Sequence, residues 1–510
     1  MGKEKRYTWT VSVIAMVDIN EEENGPIMEA AYKEFEDSIT SIKNPNKDIK
    51  FVIYKYDVVA KRAYIRKSKV SLCRYKIKTI DEKPVEDFYA EGHPHLVDFF
   101  DQHVAKKSIQ ENEEHKHFFI VWGHAAGLGF FKTEIQKRLN KVYEKIDKFL
   151  KERMVSLRSL SADEIMEINF ITSQTSVRPN RRPHEIYLPA FAGQNEKDKH
   201  EWNTIVKEFD ASFKVITAAE LNEILRNGLK NDISVRKNYD HSVKPLPIIQ
   251  YMLCLSCYVN MIETRFAFKD LIDIYIAPHT TISFFGYNYR QLFKQLIKKP
   301  SSNVMEVAIN LTNYYLAKYS EGYMEDQVDK GTTMIHGVDY KQHVAFSCIK
   351  LSDTNLIKEN IKKFAELYPN IENEQVFQQL LSARSMCRSV SVDGAKNLGI
   401  IDYENFIAEF FRLLDREIIK EKKIDVRSFF LAGQHLSTYY PGTLSKGVYD
   451  NSIKAFASQS PSSFSIFLPQ TKKGLQGELL TIYLSKGGNS EFLRLTNWDS
   501  IISLFVDFSK

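Results

Sequence analysis

Two residues in this chain are placed to do nucleophilic chemistry. Cys257 follows the apolar run IIQYMLCL, residues 248 to 255, after one small residue, Ser256, and His124 follows the apolar run HFFIVWG, residues 117 to 123. A cysteine nucleophile needs thiolate character near neutral pH, a group that protonates the leaving amine, and donors for the developing oxyanion. Cys257 and His124 meet the first two needs, and the backbone N–H groups of Cys257 and Ala125 are the obvious oxyanion donors. Helical character over Tyr258 to Phe268 would set a helix N-terminus beside the thiol, where the macrodipole favours the thiolate. Taken alone, a buried cysteine and a single histidine are more often structural than catalytic. Cys254 and Cys257 also form a C-x-x-C. A zinc reading would need a second pair of ligands at suitable spacing, and a redox reading would need the pair to open a helix. His336, in MIHGVD, is a rival histidine but follows the polar run EDQVDKGTT, and His93 and His95 in EGHPH read as loop residues rather than ligands. No metal site is expected.

The elements that must position these residues read as alternating strands and helices. Thr8 to Asp18 is an alternating strand, Met28 to Ile42 a helix with Ala31, Phe35 and Ile39 on one face, and Asp48 to Asp57 a second strand. Strand, helix, strand is a βαβ unit, which makes a parallel sheet covered by helices the expected architecture. Asp98 to Lys107 reads as a helix and His117 to Gly123 as a third, buried strand. Strands follow at Phe213 to Thr217, Leu271 to Ala277, His343 to Lys350, Ser463 to Leu468 and Gly477 to Ser485, with helices over Ala219 to Arg226, Asn355 to Leu367 and Tyr403 to Leu414. In open α/β sheets the carboxyl edge is where catalytic groups gather, and both His124 and Cys257 fall at such an edge.

The 510 residues are 43% hydrophobic and 12% aromatic, enough for a large core or two smaller ones. A net charge of +5 is too mild to point to nucleic acid or a membrane surface. No window approaches a membrane span, and Val11 to Val17 is too short for a signal-peptide core, so a cytoplasmic protein is expected. Five cysteines (Cys73, Cys254, Cys257, Cys348, Cys387) without regular spacing argue against a disulfide framework. Residues 131–212 read as a helical insert. From Thr133 to Leu157, Ile135, Leu139, Val142, Ile146, Phe149, Leu150, Met154 and Leu157 keep one apolar face, opposite Lys137, Arg138, Lys141, Lys145, Lys148 and Lys151. A solvated face accounts for the lysines. Ser161 and Glu164 form a capping-box pattern, and Arg178 to Pro183 (RPNRRP) is a proline-bounded basic loop.

These segments together resemble the caspase-like cysteine peptidases, and most closely the clostripain family. The resemblance rests on a WTVxVYMA-like strand at Trp9 to Met16, a WxHG-like segment at Trp122 to Ala125, and a DACLMGxxE-like segment at Leu255 to Glu263. Ile401-Asp402-Tyr403, SFSIFLP at 463 to 469 and Asn497-Trp498-Asp499 resemble the family's later segments. The resemblance implies a caspase-like α/β/α sandwich with a mostly parallel central sheet. It implies a peptidase core over residues 1–349, interrupted by the insert, and a C-terminal α/β region over 350–510. It implies a cysteine endopeptidase in which Cys257 attacks the peptide carbonyl through a thioester acyl-enzyme and His124 is its general acid–base partner. The alternative is a catalytically silent scaffold that keeps the fold and binds through the insert.

Two departures from the family pattern bear on specificity and control. The family places an acidic residue two positions before the nucleophile, which helps select Arg or Lys before the cut. Leu255 stands there in this chain, and Ala277 to Tyr287 holds no acid. A buried cation without a carboxylate is costly, so a pocket lined by Leu255, Phe284 and Phe285, with Ile282 beside them, is expected to take an apolar or small residue. The second departure is the 133-residue spacing from His124 to Cys257. That is more than a linker needs, so the insert is expected to serve as a processed segment or as a docking arm for a regulatory protein. The expected partners are a protein or peptide substrate and that regulator, with neither nucleic acid nor membrane. No cofactor is expected. Calcium enters by family association alone, because no calcium-loop pattern is present.

Overall fold

The computed structural model describes residues 6–18, 25–43, 49–71, 74–105, 113–125, 127–134, 213–232, 248–278, 284–298, 346–387, 399–429, 465–468 and 490–507. It also describes short pieces elsewhere, among them 141–142, 144–145 and 204–205, and the single position Ile282. In chain order the strands are β1 (Arg6–Val17), β2 (Ile49–Asp57), β3 (Arg62–Ser71), β4 (Arg74–Pro84), β5 (Glu113–Trp122), β6 (Gly129–Glu134) and β7 (Phe213–Thr217). They continue with β8 (Ile249–Leu255), β9 (Ile272–Pro278), β10 (Met334–Ile335), β11 (Val338–Asp339), β12 (Phe346–Lys350), β13 (Ile400–Asp402) and β14 (Ser465–Phe467). The helices used below are α1 (Gly25–Thr40), α2 (Pro94–Phe99), α3 (Ala218–Gly228), α4 (Ile262–Phe268), α5 (Tyr289–Lys298) and α6 (Thr354–Ile371). After them come α7 (Glu374–Met386), α8 (Tyr403–Leu413), α9 (Arg416–Glu421), α10 (Ser490–Thr496) and α11 (Trp498–Asp507).

An eight-stranded sheet in the order β12-β9-β8-β5-β1-β2-β3-β4 forms the centre. Its inner five strands, β9 through β2, pair in parallel, and antiparallel strands flank them at both edges. The parallel strands are buried on both faces, which is why they read as continuous apolar runs. Alternation sends Phe118 and Ile120 of β5 to one face, with Phe35 of α1 and Phe293 of α5. It sends Phe119 and Val121 to the other, with Leu96 and Phe99 of α2 and Leu221 and Leu225 of α3. This is the three-layer sandwich that the resemblance implies.

A third core joins the far end of the chain to the segment after Cys257. Met261, Ile262 and Phe266 share it with Ile361 and Phe364 of α6, Phe406 and Phe410 of α8, Ile466 of β14, and Trp498. β14 pairs antiparallel with β13, and Ser465 bridges in parallel to Met261. The Phe467 N–H donates to Glu263 Oε1 at 3.0 Å, and the buried Trp498 indole N–H donates to the Phe467 carbonyl at 2.9 Å. Val142 and Ile205, from within the insert, are buried in this same core.

Several elements differ from their sequence reading. β3 and β4 form an antiparallel hairpin on the β2 edge that no apolar run announces, because exposed Lys and Arg interrupt the pattern. Edge strands carry such charges to block pairing with other chains. Residues 131–134 of the insert belong to β6, which pairs antiparallel with β7, so the helix expected from Thr133 starts later and the insert's two ends are joined at their root. Lys141, Lys145 and Lys148 are exposed, as a solvated face requires, and Lys145 pairs with Glu208 at 2.6 Å. The helix expected over Asp98 to Lys107 begins earlier, at Pro94, and continues through a π turn at Phe100–Val104. Pro94 fixes that start, since its missing N–H costs nothing in the first turn. His95 therefore lies in the first turn of α2 instead of a loop, His93 precedes the helix as its N-cap, and both are buried; burial, with His93 and Lys83 adding to it, lowers the His95 pKa to about 4. The capping-box pattern at Ser161, the basic loop at Arg178 to Pro183 and the strand at Gly477 to Ser485 lie outside the described residues.

Trp498 fills the third core and holds β14 from behind. Trp498→Ala is expected to lower the unfolding free energy by about 3–5 kcal/mol, the range for emptying a buried aromatic site. Chemical denaturation checks this, and an unchanged midpoint would contradict the packing described.

Candidate active site

The last matched residues of the β5–β8 ladder are Trp122 and Leu255. Neighbouring strands lie about 4.8 Å apart, so chains leaving a matched pair together start close to one another. His124 and Cys257 each lie two residues past that pair, at the carboxyl edge of the sheet. Backbone contacts continue beyond the ladder. The Gly123 N–H donates to the Leu255 carbonyl at 3.2 Å, and the Ser256 hydroxyl donates to the Gly123 carbonyl at 3.0 Å. Gly123 has φ of 152°, a conformation that a side chain would strain. Further on, Lys132 N–H donates to the His124 carbonyl at 3.0 Å, and Thr264 Oγ1 of α4 donates to the Gly127 carbonyl at 3.0 Å. Ala125 is buried and bridges antiparallel to Phe130. The histidine loop is thus fastened on both sides.

His124 and Cys257 are half-buried, while Ser256 and Leu255 are buried. Phe284 stands edge-on to His124, with ring centroids 5.0 Å apart at 88°, and its carbonyl accepts the Trp122 indole N–H at 3.0 Å. The Cys257 sulfur lies 4.0 Å from the Ile282 carbonyl oxygen, at the seam between two of the three cores. Leu255, Phe284 and Phe285 meet in one apolar cluster with Ile282 and Trp122. Leu255 packs against Gly286, where a Cβ would come within 2.1 Å of Leu255 Cδ2.

The helix after Cys257 does not begin where the sequence reading put it. Residues 256–258 form a turn, Tyr258 takes a left-handed φ of 59°, and α4 starts only at Ile262. The reason is visible at Asn260, whose N–H donates to the Pro278 carbonyl at 3.1 Å and whose carbonyl accepts from Ser465 N at 3.4 Å. Those groups bind the end of β9 and β14 and so cannot join a helix. Helix-dipole effects fade within a turn of the terminus, so α4 does not supply the thiolate support expected of it. Behind the turn, the fully buried Arg265 donates through Nε to Asn260 Oδ1 at 2.8 Å and through a second nitrogen to the same oxygen.

Cys254 and Cys257 are free thiols with different surroundings. Cys254 is fully buried on the opposite face from Leu255, and burial pushes its thiol pKa far up, with a Tyr275 hydrogen bond opposing. Such a thiol is inert as a nucleophile at neutral pH. Among the described residues no group of three or more His, Cys, Asp or Glu side chains is placed to hold a metal ion, and no helix is long and apolar enough to cross a membrane. His336 lies outside the described residues. The sequence reading gave no role to Ser256, Asn260, Thr264 and Arg265, and took Glu263 only as the last residue of a motif; all five are buried. Their signal was polarity in a segment otherwise packed as core, where a polar group must find a partner.

The sequence profile of the clostripain family matches residues 198–503, which include Cys257 and the C-terminal elements packed behind it. No match was found among curated proteins. Among solved structures, the chain is similar to a secreted C11 cysteine protease from Bacteroides thetaiotaomicron in complex with an irreversible peptide inhibitor. The identity is 11%, with 97% of this chain and 100% of that chain covered and a TM-score of 0.49. It is also similar to iotapain, a secreted C11 cysteine protease from the same organism, at 13% identity over 81% of this chain and 83% of that one, with a TM-score of 0.45. A third, an inactive zymogen C11 protease from Parabacteroides distasonis, aligns at 10% identity over 100% of both chains with a TM-score of 0.46.

The Gly123 backbone makes one direct test. Around it a Cβ would find only ordinary contacts, at 3.5 Å to Met16 and Phe131, so the cost of Gly123→Ala comes from the backbone conformation. A loss of about 1–3 kcal/mol is expected in denaturant unfolding, the usual cost of such a conformation. A wild-type midpoint would contradict the geometry.

Proposed function

The chain belongs to the clostripain family of cysteine peptidases, and on that premise we propose that Cys257 is its nucleophile and His124 the general acid–base partner. The observation that carries the assignment is the Trp122–Leu255 register, which releases both side chains from adjacent strands two residues past a matched pair. In the proposed reaction the Cys257 thiolate attacks the peptide carbonyl carbon. The carbonyl oxygen becomes an oxyanion, received by the backbone N–H groups of Cys257 and Ala125. Imidazolium at His124 then gives its proton to the departing amine as the C–N bond breaks, leaving a thioester. Neutral His124 takes a proton from water, the hydroxide attacks the thioester, and the acid product leaves as the thiolate is restored.

Specificity follows from the apolar cluster at the site. Leu255 occupies the position of the family's acidic residue and lies buried with Ile282, Phe284 and Phe285 beside it. A cationic side chain entering that cluster would lose hydration without gaining a partner, so the reading is cleavage after an apolar or small residue.

Control is assigned to the insert. β6 and β7 join its ends, and Val142 and Ile205 pack into the core that holds Met261 and Ile262. A bound regulatory protein, or a cut within residues 131–212, would therefore bear on the segment that follows Cys257. The peptidase core over 1–349 and the region from 350 are read as two parts of one working unit on the same grounds. No cofactor enters this scheme.

Covalent labelling by a peptidyl ketone with an apolar terminal residue tests the dyad. Mass spectrometry is expected to place one label on Cys257 and none in Cys257→Ala, with turnover falling on the order of 10³-fold or more. Full labelling of the uncut chain would contradict obligatory processing. No labelling before or after limited proteolysis within the insert would favour the silent scaffold. Profiling a peptide library is expected to show apolar or small residues before the cut, and a clear preference for Arg or Lys would overturn the specificity reading.

A further inference from the structure

Ser256 separates the last residue of β8 from Cys257 and is 1% exposed. Its Oγ donates to the Gly123 carbonyl at 3.0 Å, and Gly123 is the residue immediately before His124. The Gly123 N–H reaches the same strand end, donating to the Leu255 carbonyl at 3.2 Å. Both backbone polar groups of Gly123 are therefore held by residues 255 and 256, just past the last matched pair of the ladder. Of these two bonds, one is made by backbone alone and would form with any residue at 255. The other depends on a side chain.

A buried hydroxyl costs stability unless it is bonded, and here it bonds the one peptide that leads into the histidine. We propose that Ser256 is a positioning residue, whose hydroxyl on the Gly123 carbonyl sets the orientation of His124 toward Cys257. The inference rests on reading those two residues as the dyad. Without the hydroxyl the Gly123 carbonyl loses its donor, and a glycine at φ of 152° has the freedom to let that peptide turn. His124 would turn with it. A displacement of about 1 Å in reacting groups can cost on the order of 10²-fold in rate. Ser256 is buried beneath the site rather than exposed in it, so substrate affinity is not its province.

The experiment compares the full chain with Ser256→Ala, Ser256→Thr and His124→Ala in three measurements. These are kcat and KM on a peptide substrate, the pH dependence of Cys257 alkylation by iodoacetamide, and the melting temperature. Ser256→Ala is expected to lose about 10- to 100-fold in kcat with KM within about twofold, on the scale of a misplaced reacting group. Its alkylation at low pH should fall toward that of His124→Ala, because thiolate held by imidazolium is lost. Ser256→Thr keeps a hydroxyl and should restore both. A Ser256→Ala enzyme with wild-type kcat and alkylation profile overturns the proposal while leaving the dyad intact. Equal losses in Ser256→Ala and Ser256→Thr that track a lowered melting temperature make the residue a packing element and also overturn it. Wild-type turnover and alkylation in His124→Ala would overturn the dyad itself.

Discussion

Two hydrogen-bonded parallel strands leave no freedom in their relative register. A residue on one strand has a fixed opposite number on the next, and the side chains just past their ends inherit that alignment. β5 and β8 are such a pair, buried on both faces and ending together at Trp122 and Leu255. Whatever chemistry His124 and Cys257 perform depends on that shared ending, because each lies only two residues beyond it. The loops themselves are short of regular structure. Their shape comes from a few bonds that reach across, at Gly123, Ser256 and Thr264.

The second support of the site comes from far along the chain. Residues 465–467 bridge to Met261, donate to Glu263 through the Phe467 N–H and are backed by Trp498. Asn260 is tied to the end of β9 and to Ser465, and Arg265 grips its side chain. The turn that holds Cys257 is thus clamped between the sheet and the C-terminal elements rather than carried on a helix N-terminus. An electrostatic consequence follows. With α4 beginning at Ile262, Cys257 precedes the first turn of that helix instead of opening it, and under the proposed dyad the support of a thiolate falls to His124.

Much of this arrangement was legible in the sequence. The five parallel strands are apolar runs bounded by polar loops, and β1, α1 and β2 announce a βαβ unit. The β3–β4 hairpin was hidden because its exposed face is Lys- and Arg-rich, so that Ala63, Ile65 and Tyr75 alternate against charges instead of forming a run. The start of α4 was misplaced because Tyr258 to Phe268 has helical composition throughout, and long-range bonds at Asn260 override local preference there. Ser256 looked like a small spacer. Its hydroxyl acquires meaning only when Gly123, 133 residues earlier, is brought beside it.

The central claim is that His124 and Cys257 act as a pair, with imidazolium holding the thiol ionised. It is tested most directly by the ultraviolet absorbance of the Cys257 thiolate, taken as the difference between the full chain and Cys257→Ala across pH, with and without His124. The account predicts thiolate persisting well below the ordinary thiol pKa of about 8.5, and a shift back to that range in His124→Ala. An ordinary thiol titration that His124→Ala leaves unchanged would contradict it.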